Sequence, residues 1–495
     1  MNLQLRRLAA GLIVLYLAVF GMLNRAQVFE KEALDTHPDN NRQDIRDFNR
    51  PRGQIVTADG VVVAESEPLD GYEVDYLRSY PLGDLFGNVT GYYTYGFGST
   101  QIEKRFSEVL MGDTAAQKIT GVLNDDNSGN VILTLRADVQ RVAAEALGDR
   151  EGSVVVMDPA TGAVIAMVST PRIDPNLIAD PDAEAAQAAL EAYGSAPGKP
   201  LLANAYQERY MPGSAFKVIT TGIALERGTV SLETEWPVET AWAPPQTDDP
   251  VENYGGKECG GAMAEVFWRS CNIPFAKMAV TLGPDDMVSG VRAWGVGERI
   301  PFDLPAPAAS NFEYAGDDLI DFEQNLPLLA IAGFGQANDA MTPLHMCMVA
   351  ATVANGGRMM SPFAIARTTS HDGLVLDETE PQLWRTPISP LTASILNQLM
   401  QGVVNNGTGT PMQLAGGVQA AAKTGTAQLN GPGEPERSHA WIIGFAPASA
   451  PRYAIAVMLK GTTDEISAGT GGRLAGPIAK VILDYLLANP LPVNP

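Results

Sequence analysis

The pattern of apolar and polar positions predicts short strands and longer helices after residue 130. VILTLRADVQRVAAEAL, from Val131, predicts a short strand followed by an amphipathic helix, and GSVVVMDPATGAVIAMVS, from Gly152, predicts two buried strands joined by a turn. HAWIIGFAPAS and RYAIAVMLKG predict two further buried strands near the end of the chain. Because two strands come early and two late, we expect one α/β domain whose antiparallel sheet is assembled from both ends of a long segment.

Between these strands the apolar spacing predicts a block of helices. The segments with a helical period are FKVITTGIALERG, AEVFWRSCNIPFAKMAV, PLHMCMVAATVANGG, SILNQLMQGVV and PIAKVILDYLLA, the last of which lies after the final strand.

The chain before residue 130 has a different pattern. IVTADGVVVAES alternates around Asp59-Gly60 and predicts a hairpin. Residues 72–106 are rich in Gly, Tyr and Thr without a sustained helical period, so we expect a mostly extended, non-catalytic module. The loop signal NDDNSGN at 124–130 separates this module from the larger domain.

The apolar run nearest the N-terminus, residues 8–24, carries no charge and follows Arg6 and Arg7. It is slightly short for a spanning helix of ~20 residues but too apolar for a soluble surface. A cleaved signal peptide is the alternative, yet no small-x-small cleavage pattern follows the run. We therefore expect an uncleaved anchor, with the two arginines on the cytoplasmic side and the rest of the chain outside.

Together these changes of pattern divide the chain into parts. We predict a cytoplasmic tail at residues 1–7, a transmembrane anchor at 8–27, a first module at 28–129 and a larger domain at 130–490.

Composition and charge exclude one class of function. Of 495 residues, 45% are hydrophobic and 18% charged, which is typical of globular protein. The formal net charge is -23, whereas a protein that tracks nucleic-acid phosphates needs the opposite sign. Neither CxxC nor HExxH occurs, so no metal site is expected.

The chain has three cysteines. Cys259 and Cys271 are 12 residues apart and can form a disulfide in an oxidising compartment, but the sequence leaves their pairing open. Cys347 lies in an apolar helix and is expected to be buried.

The stretch YMPGSAFK contains the first candidate for chemistry. Ser214 and Lys217 stand three residues apart at a predicted helix start, so both side chains can lie on one face. A serine hydroxyl needs a base to become a nucleophile, and a lysine of lowered pKa can serve. Serine is also a favoured helix cap, so an ordinary helix start is the alternative.

Two further motifs follow in a fixed order. WRSCNIPF contains Ser270 and Asn272 in an S-x-N pattern, and AAKTGTAQ contains Lys423, Thr424, Gly425 and Thr426. S-x-N alone is weak, because an earlier S-x-N in the loop at 128–130 also matches. K-T-G-T on a strand facing a pocket would bind a carboxylate through the lysine and the hydroxyls. Its glycine would let a substrate backbone lie alongside. S-x-x-K, S-x-N and K-T-G together are the set of penicillin-interacting serine enzymes.

With these motifs the sequence resembles the class B penicillin-binding proteins, in particular the short actinobacterial members, over nearly its whole length. RGQIVTADG resembles the start of the family's pedestal module, and VVVMDPATGAVIAMVSTPRIDPN, GFGQANDAMTPLHM and SHAWIIGFAP resemble parts of its transpeptidase domain. The resemblance implies a penicillin-binding serine transpeptidase fold, with a central antiparallel sheet flanked by helices, an extended N-terminal pedestal and one transmembrane helix.

The resemblance also implies roles for the motif residues. Ser214 would attack the penultimate D-alanine carbonyl of a peptidoglycan stem peptide, and Lys217 would take its proton. Ser270, helped by Lys423, would pass a proton to the departing D-alanine, while Asn272 would orient Lys217 and the substrate amide.

The remaining implied roles concern binding. Thr424, Thr426 and Lys423 would hold the terminal carboxylate, and the backbone N–H groups of Ser214 and Thr426 would form an oxyanion hole. β-Lactams would be trapped at Ser214. A glycan polymerase of the SEDS type would be the membrane partner. No cofactor is implied, and the catalytic domain would lie outside the plasma membrane.

Three alternatives share these motifs. A β-lactamase would hydrolyse the acyl-enzyme, but the 153 residues from Ser270 to Lys423 exceed the interval typical of class A enzymes. A D,D-carboxypeptidase would differ only in using water as acceptor. A catalytically silent scaffold of wall synthesis would need no intact motifs.

Overall fold

In the computed structural model, the structure describes residues 3–25, 48–72, 74–114, 117, 127–430 and 437–490. Much of the stretch between the predicted anchor and the first hairpin, and part of the loop at 124–130, lie outside these residues.

The strands of the described residues are β1 Ile55–Val56, β2 Val62–Pro68, β3 Tyr76–Ser79, β4 Tyr93–Thr94, β5 Gly98–Ser99, β6 Gly129–Leu133, β7 Gly152–Met157, β8 Val164–Thr170, β9 Glu235–Glu239, β10 Ala241–Trp242, β11 Val251–Glu252, β12 Cys259–Ala262, β13 Tyr314–Ala315, β14 Asp318–Leu319, β15 Met359–Met360, β16 Ile365–Ser370, β17 Val375–Glu378, β18 Leu383–Arg385, β19 Ala421–Gln428, β20 Ser438–Ala446 and β21 Tyr453–Leu459.

The helices of the same residues are α1 Leu3–Asn24, α2 Gly87–Thr90, α3 Gln101–Arg105, α4 Ser107–Leu110, α5 Ala137–Leu147, α6 Pro175–Ile178, α7 Ala183–Ser195, α8 Asn204–Gln207, α9 Lys217–Glu226, α10 Met263–Arg269, α11 Ile273–Ala293, α12 Leu326–Ala332, α13 Pro343–Ala354, α14 Pro390–Asn406, α15 Asp464–Ser467 and α16 Gly471–Ala488. Short 3-10 turns occur at Gly83–Leu85, Gly213–Phe216, Tyr254–Gly256, Thr410–Met412 and Ala415–Gly417.

A five-stranded antiparallel sheet forms the centre of the larger domain. Its strand order is β19-β20-β21-β7-β8, so the late strands of the sequence lie beside the early ones. This confirms the predicted assembly of one sheet from both ends of a long segment. It also leaves β19, which carries the K-T-G-T motif, at an edge of the sheet.

Both faces of this sheet are buried, which explains why its strands are continuously apolar rather than alternating. Val154 and Val156 belong to the hydrophobic cluster on one face, and Val155 and Met157 belong to the cluster on the other. Helices α5 and α16 pack on the first face, and α13 packs on the second. The sheet is therefore a rigid layer between two helical layers.

A second sheet joins the first module to the larger domain. Its order is β17-β16-β6-β1-β2-β3, in which β1 and β2 form the predicted hairpin around Gly60, where φ is +81°. β1 pairs in parallel with β6, and β6 pairs with β16 from the larger domain. Strand β6 therefore runs across the predicted boundary at 129/130.

The first module contains short helices beside its strands. Three short helices, α2 to α4, lie between residues 87 and 110. They bury Val89, Ile102 and Leu110 almost completely. Each helix has one or two turns, too few to repeat an apolar residue at helical spacing, and this is why no period was visible. Buried ion pairs from Arg52 and Arg78 to Glu103 tie these helices to the strands.

The segment AEVFWRSCNIPFAKMAV is helical as predicted, but it forms two helices. Helix α10 ends at Arg269, and α11 begins at Ile273. Ser270 between them has left-handed backbone angles, with φ 61° and ψ 40°. Pro274 in the first turn of α11 has no N–H to continue the preceding helix. The break falls on the S-x-N motif.

Helix α1 covers most of the segment predicted as an anchor at 8–27, of which residues 26 and 27 lie outside the described part. Among the residues that the structure describes, no helix has both the length and the apolar character needed to cross a membrane.

Candidate active site

Ser214 lies in the 3-10 turn Gly213–Phe216 that leads directly into α9. A helix start was predicted here and is confirmed, but the residue at the cap position is Pro212, and no side chain caps this turn. Gly213 has a φ of +54° and donates its N–H to the carbonyl of Gly335 at 2.8 Å. The Ser214 side chain is thus left to line a cleft rather than to serve the helix end.

Lys217 is fully buried one turn after Ser214 and reaches the second motif. Its Nζ donates to the carbonyl oxygens of Ser270 at 2.8 Å and Cys271 at 2.7 Å, and to Oδ1 of Asn272 at 2.9 Å. The Ser270 hydroxyl lies 3.4 Å from the same nitrogen. The left-handed turn at Ser270 aims these acceptors at one amine, which a continuous helix could not do.

Lys423 approaches the same hydroxyl from the other side. Its Nζ lies 2.8 Å from Oγ of Ser270 and 3.1 Å from the carbonyl oxygen of Thr424. Ser270 Oγ therefore bridges the two lysine amines. The three predicted motifs, of which the first and the last are more than 200 residues apart in the chain, meet at this hydroxyl.

Burial lowers the pKa of both lysines, because a charged amine loses water contacts inside the protein. The pKa of Lys217 is lowered well below its usual value by burial and then by the nearby Lys423 charge. Burial lowers the pKa of Lys423 to about 7. The lowered pKa makes the neutral form of Lys217, which can accept a proton, more accessible than in an ordinary lysine, whose pKa is near 10.

Gly425 is required by the packing of the protein itself. A Cβ added there would lie 2.5 Å from the carbonyl oxygen of Pro212 and 3.0 Å from the backbone nitrogen of Ala215. Strand β19 therefore packs directly against the nucleophile turn. That Gly425 also makes room for a substrate backbone stays a prediction.

The backbone of Thr426 faces the same turn. Among the described strands β19 pairs only with β20, and Thr426 is opposite Ala440 in that pairing. The Thr426 carbonyl oxygen points away from β20, since it lies 2.5 Å from the Cβ position of Gly213. In an antiparallel pair a residue's N–H and C=O point to the same side, so the Thr426 N–H is also free of β20.

The cleft above these groups contains more residues than the motifs predicted. It is lined by Ser214, Tyr254, Arg269, Ser270, Asn272, Gln336, Thr408, Thr424, Thr426, Gln428, Thr470 and Gly472. Thr408 Oγ1 lies 2.6 Å from Thr424 Oγ1, and the Gly471 N–H lies 3.4 Å from Thr426 Oγ1. Gln336 lies in the stretch GFGQANDAMTPLHM, which resembles the family, but no motif in the sequence points to Thr408 or Thr470.

The cysteines lie as follows. Cys259 and Cys271 form a disulfide with a Cα–Cα distance of 5.6 Å, and Cys347 is free and buried, as predicted. His439 is buried against the Tyr210 ring, and its Nδ1 accepts from the Gly461 N–H. These contacts give His439 a packing role at the start of β20.

Family models match most of the chain. Residues 152–484 match the penicillin-binding protein transpeptidase domain, and residues 52–130 match the penicillin-binding protein A dimerisation domain.

Whole-length relatives are similar as well. The chain is 36% identical to the peptidoglycan D,D-transpeptidase PbpA of Mycolicibacterium smegmatis, covering 98% of each chain, and 34% identical to that of Mycobacterium tuberculosis, covering 98% of this chain and 99% of the relative.

Solved structures show the same likeness. The structure of penicillin-binding protein A from M. tuberculosis as a ceftriaxone acyl-enzyme superposes with a TM-score of 0.82 at 32% identity, covering 89% of this chain and 99% of that one. A crystal structure from Eggerthella lenta, described as the D,D-transpeptidase domain of a peptidoglycan glycosyltransferase, gives 0.76 at 28% identity, covering 90% and 100%. The fold, the motif geometry and these matches together show that the chain belongs to the class B penicillin-binding proteins.

Proposed function

We propose that this protein is a serine D,D-transpeptidase that cross-links peptidoglycan stem peptides through an acyl-enzyme on Ser214. One observation carries the proposal: the buried Lys217 amine meets Ser270 and Asn272, and Lys423 meets the same serine hydroxyl. The relatives named PbpA are D,D-transpeptidases of peptidoglycan, and the M. tuberculosis protein forms acyl-enzymes with β-lactams.

Acylation begins at the Ser214 hydroxyl. Neutral Lys217 takes the hydroxyl proton as Ser214 Oγ bonds to the carbonyl carbon of the penultimate D-alanine. The backbone N–H groups of Ser214 and Thr426 donate hydrogen bonds to the developing oxyanion. Each such donor contributes about 3 kcal/mol in comparable sites. The field at the start of the nucleophile helix adds to this stabilisation.

Collapse of the tetrahedral intermediate breaks the bond to the terminal D-alanine. The departing nitrogen takes a proton from the Ser270 hydroxyl, and the ammonium of Lys217 restores that proton. Lys423, which donates to Ser270 Oγ, keeps the hydroxyl oriented for this transfer. The enzyme is left as an ester on Ser214, and D-alanine leaves as the free amine with the proton from Ser270 on its nitrogen.

Deacylation repeats the same chemistry with an amine. The acceptor amine of a second stem peptide bonds to the ester carbonyl and gives a proton to Lys217. The Ser214–carbonyl bond then breaks, and Ser214 regains its proton. β-Lactams follow only the first half, since their leaving nitrogen stays tethered to the acyl group and blocks the acceptor.

The terminal carboxylate is held at the β19 edge. Lys423 provides a cation, and the hydroxyls of Thr424 and Thr426 face the cleft. Thr408 supports this arrangement through its contact with Thr424. Charge-assisted hydrogen bonds of this kind are roughly twice as strong as neutral ones.

Labelling with a fluorescent penicillin tests the proposal. The native chain should carry a durable label that Ser214→Ala lacks, and Lys217→Ala should lose acylation while keeping the native circular dichroism spectrum. Rapid loss of label would instead indicate a β-lactamase, and no label would indicate a silent scaffold. With a D-Ala-D-Ala donor, release of D-alanine without amine transfer would indicate a carboxypeptidase.

We propose a plasma-membrane location with the catalytic domain outside. The Cys259–Cys271 disulfide supports this, because disulfides persist in oxidising compartments. The apolar side chains of α1, such as Leu12 and Phe20, are more than half exposed, which fits a membrane attachment. Alkaline phosphatase fused after residue 490 should be active and should sediment with membranes, and an inactive fusion would contradict the proposal.

We also propose a SEDS-type glycan polymerase as the partner, through the N-terminal segment and the first module. The support is the resemblance to class B proteins. The polymerase should co-purify with the native chain but not with a chain whose residues 8–24 are replaced by an unrelated apolar helix. Equal co-purification of both chains would remove the N-terminal segment from the proposal.

A further inference from the structure

The segment from β9 to β12, residues 235–262, folds over the second motif. β9 and β12 pair with each other, with Cys259 opposite Glu239, and β10 pairs with β11. This segment, which we name the clamp, contributes only Tyr254 to the lining of the cleft. It also holds the S-x-N motif and the first residue of α11 through a disulfide and hydrogen bonds.

The first link of the clamp is the disulfide. Cys259 on β12 is bonded to Cys271, the middle residue of the S-x-N motif. The carbonyl oxygen of Cys271 accepts a hydrogen bond from Lys217 at 2.7 Å. The disulfide therefore ends on the same residue whose carbonyl oxygen contacts the catalytic amine.

The second link is Asn253, which is buried with 4% exposure. Its Oδ1 accepts the N–H groups of Asn272 at 2.9 Å and Ile273 at 3.2 Å, and its Nδ2 donates to the carbonyl of Glu239 at 2.9 Å. The first N–H groups of a helix have no partner within the helix. Asn253 supplies that partner to α11 from another segment, and it thereby fixes where the helix begins.

The third link sets the direction of the Asn272 side chain. Its Nδ2 donates to the carbonyl of Glu252 at 3.0 Å, so its Oδ1 faces Lys217 Nζ at 2.9 Å. An amide that lost the Glu252 contact could turn its N–H₂ group toward the amine instead. The clamp therefore determines which atom of the Asn272 amide faces the Lys217 amine.

We propose that Asn253 and the Cys259–Cys271 disulfide are positioning residues of the acyl-transfer reaction, which hold the S-x-N motif around Lys217, so that full activity requires the oxidised pair. The inference rests on the proposed function of Ser214 and Lys217. Because the disulfide forms outside the reducing cytoplasm, the active site is completed only after export.

The physical reason lies in the surroundings of the Lys217 amine. Its carbonyl and amide acceptors all come from the motif that the clamp holds, and within the described residues the charge facing it is Lys423 on β19. Phe275 of α11 and Phe334 provide ring faces at 5.0 and 5.8 Å. Loosening the acceptors lowers the stability of the ammonium form and misplaces the base. A displacement of about 1 Å in such a site costs as much as ~100-fold in rate.

The first experiment compares Asn253→Ala, Asn253→Asp and Asn88→Ala in the full chain, using the second-order rate constant for benzylpenicillin acylation across pH. Asn88 is an equally buried asparagine in the first module, where its Nδ2 donates to the Pro200 carbonyl. We expect Asn253→Ala to lower the rate by ~10- to 100-fold and to move the acid limb to lower pH. Asn253→Asp, which still accepts both N–H groups, should recover most of the rate.

A merely structural role predicts another outcome. In that case Asn253→Ala would reduce the rate only in proportion to the folded fraction, with the acid limb unmoved, as we expect for Asn88→Ala. That result overturns the inference for Asn253.

The second experiment reduces the disulfide in a Cys347→Ala background, so that the thiols that appear on reduction and pair again on reoxidation are those of Cys259 and Cys271. We expect the acylation rate to fall ~10-fold or more and to return on reoxidation, while the circular dichroism spectrum stays native. An unchanged rate in the reduced protein, with free thiols verified by alkylation and mass spectrometry, overturns the inference for the disulfide.

Failure of this inference and failure of the proposed function give different results. Unchanged acylation in the clamp variants, with the native protein labelled at Ser214, overturns this inference alone. An unlabelled native protein overturns the proposed function and the inference with it.

Discussion

The two lysines of the site are buried without a carboxylate partner among the described residues, and this is the feature from which its chemistry follows. In most proteins a buried charge is paired, because desolvation of a lone charge is costly. Here the pKa of each amine falls instead, so that one lysine can act as a base. The other remains close to neutrality, where it can change its charge with pH or with a bound anion.

The alkaline side of the pH dependence of acylation should report the charge of Lys423. Lys423, with a pKa of about 7, is cationic below that pH and neutral above it. Because β-lactams bind through their carboxylate, the second-order acylation constant of the free enzyme should fall about tenfold per pH unit above pH 7. Stopped-flow acylation by benzylpenicillin across pH measures this limb.

Lys423→Arg is the matched control for that limb. A guanidinium stays charged at every accessible pH, so the alkaline limb near 7 should disappear even if the overall rate is lower. If the alkaline limb near pH 7 persists in Lys423→Arg, the limb belongs to another titrating group.

Asp339 is a buried acid outside the proposed chemistry, and it affects stability. Neither carboxyl oxygen has a hydrogen-bonding partner within the described residues, and burial raises its pKa well above the usual value. The unfolded chain releases this proton near pH 4 and the folded chain keeps it, so stability falls as pH rises above 4.

Asp339→Asn should therefore stabilise the protein at pH 7.5, by on the order of 1–3 kcal/mol, and by progressively less as pH approaches 4. Urea unfolding at pH 4.5, 6 and 7.5 measures the difference. A stabilisation that does not change with pH would show that Asp339 is not held protonated.

Several site residues could be predicted from the sequence and others could not, for a physical reason. Ser214 and Lys217 are local in sequence, and the K-T-G-T residues lie on one strand, so spacing alone predicts that they act together. Thr408 and Asn253 act through contacts made only after folding. Their neighbours in sequence do not differ from those of ordinary loop residues.

At the scale of elements, the edge strand β19 and the nucleophile turn depend on each other. Gly425 lets them approach, since a Cβ would lie 2.5 Å from the Pro212 carbonyl oxygen. Gly425→Ala should therefore destabilise the fold by about 1–3 kcal/mol and reduce acylation more than the loss of folded protein accounts for. Thermal unfolding and penicillin labelling on the same samples measure the two effects.

Gly194 is the matched control for this substitution. It lies in helix α7, where an added Cβ meets only Leu201 Cδ1 at 4.0 Å. Gly194→Ala should leave labelling unchanged and raise stability by roughly 0.5–1 kcal/mol, as is usual in helix interiors. Equal effects of the two substitutions would contradict a special role for Gly425.

The elements that sequence patterns predicted correctly are those buried on wide, regular surfaces. The central strands are apolar at every position because both faces of the sheet are covered, and this signal is strong. The break between α10 and α11 was missed because the apolar spacing continues through it. The break depends on the left-handed Ser270, the disulfide and Asn253, which act from outside the helical pattern.

At the scale of the whole molecule, the two modules share a sheet and should unfold together. β1 to β3 come from the first module and β16 and β17 from the larger domain, with β6 between them. Calorimetry of the full chain should show one main transition, and Val131→Ala, which removes buried apolar volume from β6, should lower it without splitting it. Two separate transitions would show that the modules are independent.

The central claim is that Ser214 forms an acyl-enzyme that an amine resolves. Mass spectrometry of the protein with a D-Ala-D-Ala stem peptide, with and without an acceptor stem peptide, tests it most directly. We expect an acyl adduct on the Ser214 peptide, one released D-alanine per adduct and a cross-linked product only when the acceptor is present; Ser214→Ala should give none of these. An adduct on another residue, or a cross-linked product from Ser214→Ala, would contradict the account.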